Sequence, residues 1–126
     1  MKQNRLPITF VRAPIVSKIG NINNEATPAI GFAYLSGYLR RLGYDPLLVD
    51  AIGEGINHVW PLKQYPGFQG QGLNFEEIIN RIPADSRVIG FSLMFSSEWP
   101  LVRDLLIEVR KYFPNALFVG GGEHVT

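Results

Sequence analysis

The stretch Arg87–Gly122, "RVIGFSLMFSSEWPLVRDLLIEVRKYFPNALFVGGG", is the one from which the fold is read. It opens on a mostly apolar run, Arg87 to Leu93, with no polar alternation, as a strand buried on both faces requires. Ser97, Trp99 and Pro100 then open a helix, with Ser97 placed to cap it. Along that helix Leu101, Val102, Leu105, Leu106, Val109 and Phe113 recur at helical spacing. Pro114-Asn115 ends it, and "ALFVGG" reads as a second buried strand. Strand, amphipathic helix and strand in this order form a parallel crossover unit, which is right-handed. Gly120, Gly121 and Gly122 end the unit, where a backbone without Cβ atoms lets another body come close.

The same grammar extends toward the N-terminus. "ITFV", Ile8–Val11, is a short strand closed by Ala13-Pro14, and "PLLVD", Pro46–Asp50, is another. Between them Thr27 is placed as an N-cap with Pro28 at the first helical position, and the helix runs to about Leu42 before Gly43. Ala29, Ala33 and Gly37 give it a small face expected to pack against the sheet, beside a stripe of Leu35, Leu39 and Leu42. Asn74 and Glu77 form a capping box for a short helix to about Ile82, followed by a turn at Pro83-Ala84-Asp85. The predicted fold is therefore α/β: a doubly wound, flavodoxin-like or Rossmann-like parallel sheet of order 2-1-3-4, stopping after its fourth strand. Two long connections, 14–27 and 51–73, leave strand carboxyl ends. The second carries Gly and Pro with no steady period and is expected to be the least regular stretch.

Composition narrows the classes. The 126 residues suffice for one domain, and 46% apolar against 18% charged residues is globular. A net charge of +1 without a basic run gives no footprint for nucleic acid. No apolar run approaches the ~18 residues of a membrane span. Cysteine is absent, which excludes disulfides, thiolate metal sites and cluster ligation within this chain. A cytoplasmic setting fits these features.

Several chemistries fail at the carboxyl edge where the loops converge. A receiver-type phosphoacceptor needs acidic residues after strand one and an Asp ending strand three, where this chain has Ala13-Pro14 and Ser92. "IVSKIGNIN" is a poor phosphate loop. Gly53-Glu54-Gly55 begins a dinucleotide fingerprint, but position 58 is His. Gly90-Phe91-Ser92-Leu93-Met94 breaks the serine-hydrolase elbow at its last place. His58 and His124 are the two histidines, and a lone loop histidine more often makes a hydrogen bond than a catalytic site. Trp60, Tyr65 and Phe68 could cover a flat ligand or pin their loop to the core, two readings of equal weight.

Two segments carry a family resemblance. "VIGFSLMFSSEWPLVRDLLIEVRKYFPNALFVGGGEHVT" (Val88–Thr126) resembles the N-terminal cobalamin-binding domains of B12-dependent radical SAM enzymes, and "ATPAIGFAYLSGYLRRLGYDPLLVDA" (Ala26–Ala51) resembles the preceding segment. Cobalamin-binding domains carry D-x-H-x-x-G after strand one, S-x-L after strand three and Gly-Gly after strand four. Ser92-Leu93-Met94 is similar to the second, with Met for Leu, and Gly121-Gly122 to the third, with 26 residues between Met94 and Gly121. "GGEHVT" resembles the family ending G-G-x-H-x-T, with His124 and Thr126 in place.

The resemblance implies that Ser92 offers a hydroxyl to the cofactor's nucleotide tail while Gly120, Gly121 and Gly122 clear its path, with Leu93, Met94 and His124 beside it. The first signature departs from the family: Pro14–Gly31 holds neither Asp nor His, so cobalamin is expected without a protein imidazole on cobalt. Asp50–Gly55 mimics that signature after the wrong strand. The resemblance further implies an incomplete domain followed by a radical SAM domain, with S-adenosylmethionine and a 4Fe-4S cluster in the parent, a methyltransferase or related radical enzyme. The chain by itself is then non-catalytic and expected to hold cobalamin weakly if at all. A cofactor-free docking or substrate-recognition module of the same architecture is the alternative. The uncharged "ALFVG" strand implies self-association through its open edge.

Overall fold

The computed structural model describes residues 6–21, 28–93 and 98–122. In chain order its elements are β1 (Ile8–Arg12), β2 (Ile15–Lys18), α1 (Ile30–Arg41), β3 (Leu47–Asp50), α2 (Ala51–Glu54), β4 (Val59–Pro61), β5 (Phe68–Gln71), α3 (Phe75–Arg81), β6 (Val88–Ser92), α4 (Trp99–Tyr112) and β7 (Leu117–Gly121). The first sheet is parallel with order β3-β1-β6-β7, the 2-1-3-4 order expected from the four apolar runs. Ile8 is level with Val88, Thr9 with Leu47, and Ser92 with Gly121.

Helices lie on both faces of this sheet. Val11, Val49, Ile89 and Phe91 point to one side and form a core with Ile78 and Ile82 and, from α4, Val102, Leu105 and Val109. Phe10 points to the other side and stacks on Phe32 of α1, with ring centroids 4.9 Å apart. Gly90 makes room for that ring, since a Cβ there would lie 2.8 Å from Phe10. Beneath the sheet Thr9 and Ser86 share a buried hydroxyl–hydroxyl hydrogen bond of 2.8 Å.

Two helices follow their apolar signals, although α4 starts at Trp99 with Glu98 as its cap and no side-chain cap bond, and Ser97, the expected cap, lies outside the described residues. The Asn74 side chain accepts from the Glu77 N–H at 2.9 Å, and Glu77 accepts from the Asn74 N–H at 3.1 Å, completing the capping box. Helix α4 buries Leu101, Val102, Leu105 and Val109.

Helix α1 departs from expectation in two ways. It starts at Ile30 with Ala29 as cap, while Thr27 lies outside the described residues. Its packing face is Phe32 and Ser36, not the small residues: Ala33 and Gly37 are exposed, as are Leu35 and Leu42. The ring of Phe32 takes the place over Phe10 and turns the small stripe outward. The helix stops where expected. Gly43 adopts φ +92°, and the N–H groups of Gly43 and Tyr44 bond the carbonyls of Arg40 and Leu39 as a Schellman motif.

The expectation of an irregular 51–73 segment is overturned. Residues 51–54 form α2, and β4 and β5 form an antiparallel hairpin that β2 extends into a sheet of order β2-β5-β4. The glycines here are sites of close approach. A Cβ on Gly70 would meet the Trp60 ring at 2.5 Å, and one on Gly55 would meet the Gly72 backbone at 2.8 Å. Gly72 itself has φ +125° against the Ala51 carbonyl. Gln69 and Gln71 are buried, and their amides donate to the Asn21 and Ile56 carbonyls at 3.0 and 2.9 Å. Among the described residues no helix is long and apolar enough to cross a membrane.

Candidate functional site

The last rung of the parallel sheet carries a row of chemically distinct residues: Asp50 on β3, Arg12 on β1, Ser92 on β6 and Gly121 on β7. Arg12 is in register with Asp50, and Ser92 with Gly121. All four lie an even number of residues along their strands from positions level with Phe10, so they share the α1 face.

The two halves of the row differ in freedom. Arg12 and Asp50 form an ion pair at 3.5 Å with both side chains largely buried. The other Asp50 oxygen accepts the N–H groups of Ile52 and Gly53 at 3.2 and 3.1 Å, capping α2. Asp50 is thereby committed to anchoring the turn into the antiparallel sheet. Ser92 is half-buried, and its hydroxyl has no partner among the described residues. Gly121 is exposed, and a Cβ there would meet nothing within 4 Å. Its carbonyl accepts the Leu93 N–H at 2.6 Å, which holds the rung together. Gly122 has φ +112°, a conformation glycine adopts without strain.

The glycine end opens onto an apolar strip. Leu117 and Val119 alternate with Gly121 on the same strand face and are 62% and 48% exposed. The open space over Gly121 therefore continues along uncovered β7. Gly120 points to the other face, and Leu93 is buried in the core, so Leu93 contributes through its backbone. Met94 and His124 lie outside the described residues.

The remaining candidates lie elsewhere. The Nδ1 of His58 is 3.2 Å from Glu77 Oε1, the oxygen that also accepts the Asn74 N–H. That histidine extends a helix cap. Trp60 donates from Nε1 to the Gly72 carbonyl at 3.0 Å and sits edge-on to Phe75. Tyr65 donates to Asp104 of α4 at 2.9 Å and receives Arg103 at 3.3 Å. That hydrogen bond to a carboxylate, with some desolvation, raises the Tyr65 phenol above its ordinary value. Trp60 and Tyr65 therefore pin their segment. Phe68, 39% exposed, lines an apolar cleft of about 210 Å³ with Val16, Leu62 and Leu101. A broader groove of about 920 Å³ separates α3 from α4 on the opposite side from α1.

Sequence reasoning passed over Arg12, whose signal is a charge ending an otherwise apolar strand. It set aside Asp50, whose part is structural. No protein-family model, curated protein or solved structure matches the chain.

Proposed function

We propose that the chain is a cobalamin-binding domain of flavodoxin-like type, serving a radical SAM methyltransferase or related radical enzyme and non-catalytic by itself. One observation carries this reading. Gly121, over which a Cβ would meet nothing within 4 Å, stands level with Ser92, whose hydroxyl has no partner among the described residues, at the carboxyl edge where such sheets take ligands. Gly90, on the same face, is filled by Phe10, so the space at Gly121 is not a requirement of internal packing.

The residues present fit the nucleotide tail of the cofactor. Ser92 offers a hydroxyl to a ring nitrogen, Gly121 and Gly122 leave backbone bare for a flat body, and Val119 and Leu117 supply an apolar wall. Bound methylcobalamin supplies a transferable methyl group. The protein's own contribution is to hold and orient the tail. The S-adenosylmethionine and 4Fe-4S chemistry belongs to a radical SAM partner domain, because this chain has no cysteine to hold a cluster.

Equilibrium dialysis of hydroxocobalamin against the 126-residue chain, read by visible absorbance, tests this. Wild type should retain the cofactor. Gly121→Val places methyl groups in the tail's path, at a cost of about 1–3 kcal/mol, or roughly 5- to 150-fold in affinity. Absence of retention by wild type, or equal retention by both, would refute the assignment and leave a cofactor-free docking module.

A further inference from the structure

We infer that β7 is a homodimerisation edge, pairing antiparallel with β7 of a second copy in the register centred on Val119. In the parallel pair β6–β7 the Leu117 N–H bonds the Arg87 carbonyl and the Gly121 carbonyl accepts from Leu93. Residues 117, 119 and 121 therefore turn their backbone groups inward. Phe118 and Gly120 turn theirs outward, and β7 has no strand on that side among the described residues.

The occupant follows from the strand itself. The opposite edge, β3, is guarded by Asp45 and Pro46 before it and Asp50 at its end; β7 carries no charge, proline or bulge. Centring an antiparallel pair on Val119 matches all five residues of each strand. Phe118 and Gly120 of one copy then exchange hydrogen bonds with Gly120 and Phe118 of the other.

The same register sets Leu117 and Phe118 each opposite a glycine, a pairing in which a large side chain covers bare backbone. Phe118, held by Phe91 and by Arg110 at 3.7 Å, faces Gly120 of the other copy. Leu117 faces Gly121, above which there is open space, and Val119 meets Val119. This covers the exposed Leu117–Val119 strip. A five-residue edge falls short of the roughly 800 Å² per partner of a stable interface, so the dimer is weak and concentration-dependent. In this register Leu117 of one copy occupies the space over Gly121 of the other.

The cysteine-free sequence gives a direct test of the register. Val119→Cys in both copies places two Cα atoms roughly 4.5 Å apart at a non-hydrogen-bonded pair, within disulfide reach. Leu117→Cys places them roughly 14 Å apart, out of reach. Under mild oxidation Val119→Cys should cross-link and Leu117→Cys should not. Sedimentation velocity from about 1 µM to 1 mM should show wild type moving from monomer to dimer. Val119→Lys, with its circular dichroism and melting unchanged, should weaken association at least about tenfold by opposing like charges. Wild type that stays monomeric throughout, a Val119→Lys protein that dimerises as wild type does, or equal cross-linking of the two cysteine variants would overturn the inference.

Discussion

Gly90 and Gly121 lie on neighbouring strands and face the same side, yet they answer to different constraints. Gly90 exists so that Phe10 can lie flat under Phe32, and a methyl group there would press on the ring at 2.8 Å. Gly90→Ala should therefore destabilise by about 1–3 kcal/mol in urea denaturation. Gly121→Ala meets nothing within 4 Å and should change stability by less than about 0.5 kcal/mol. Equal losses would mean that Gly121 is a packing glycine, which would remove the case for a ligand there. The glycine run and the serine level with it were legible in the sequence because strand ends and register follow from apolar runs. The partition of the row into a locked Arg12–Asp50 pair and a Ser92 without a partner among the described residues was not, since it depends on where α2 begins.

Among the elements, the sheet and α3 and α4 follow directly from local pattern. Their apolar residues recur at the period of the element, and the Asn74–Glu77 box is a local hydrogen-bond solution. Asn74→Ala should cost about 1 kcal/mol, measured as a lowered urea midpoint. What local pattern could not yield is the β2-β5-β4 sheet. Its strands are three or four residues long, its order is set by pairings across about fifty residues, and its glycines serve contact with Trp60 and with backbone. Glycine as a flexible residue and glycine as a close-packed one look alike in sequence. Helix α1 misled for a related reason: small residues at every fourth position suit close packing, but one aromatic stack outweighs them.

The Tyr65–Asp104 bond that fastens this second sheet to α4 has a pH signature. The folded phenol is raised above its ordinary value of 10.0, so the folded state holds the proton more tightly than the unfolded one. The stability it contributes is complete below about pH 10 and is lost as pH rises through the folded value. The melting temperature of wild type should fall more steeply above pH 10 than that of Tyr65→Phe. Parallel curves would show that the bond contributes nothing.

For the whole molecule, both proposals fall on β7, an edge strand of the parallel sheet with no strand beyond it among the described residues. A cofactor tail over Gly121 and Leu117 of a second copy cannot share that space. Saturating hydroxocobalamin should accordingly shift the chain toward monomer in sedimentation, and a dimer unaffected by bound cofactor would place the two sites apart. The central claim is that the Ser92–Gly121 rung receives the cofactor, and amide chemical shifts of isotopically labelled protein report it residue by residue. On adding hydroxocobalamin, the largest changes should fall on Ser92, Leu93 and Gly120–Gly122. Changes centred instead on 15–18 and 59–71, or none at any residue, would contradict the account.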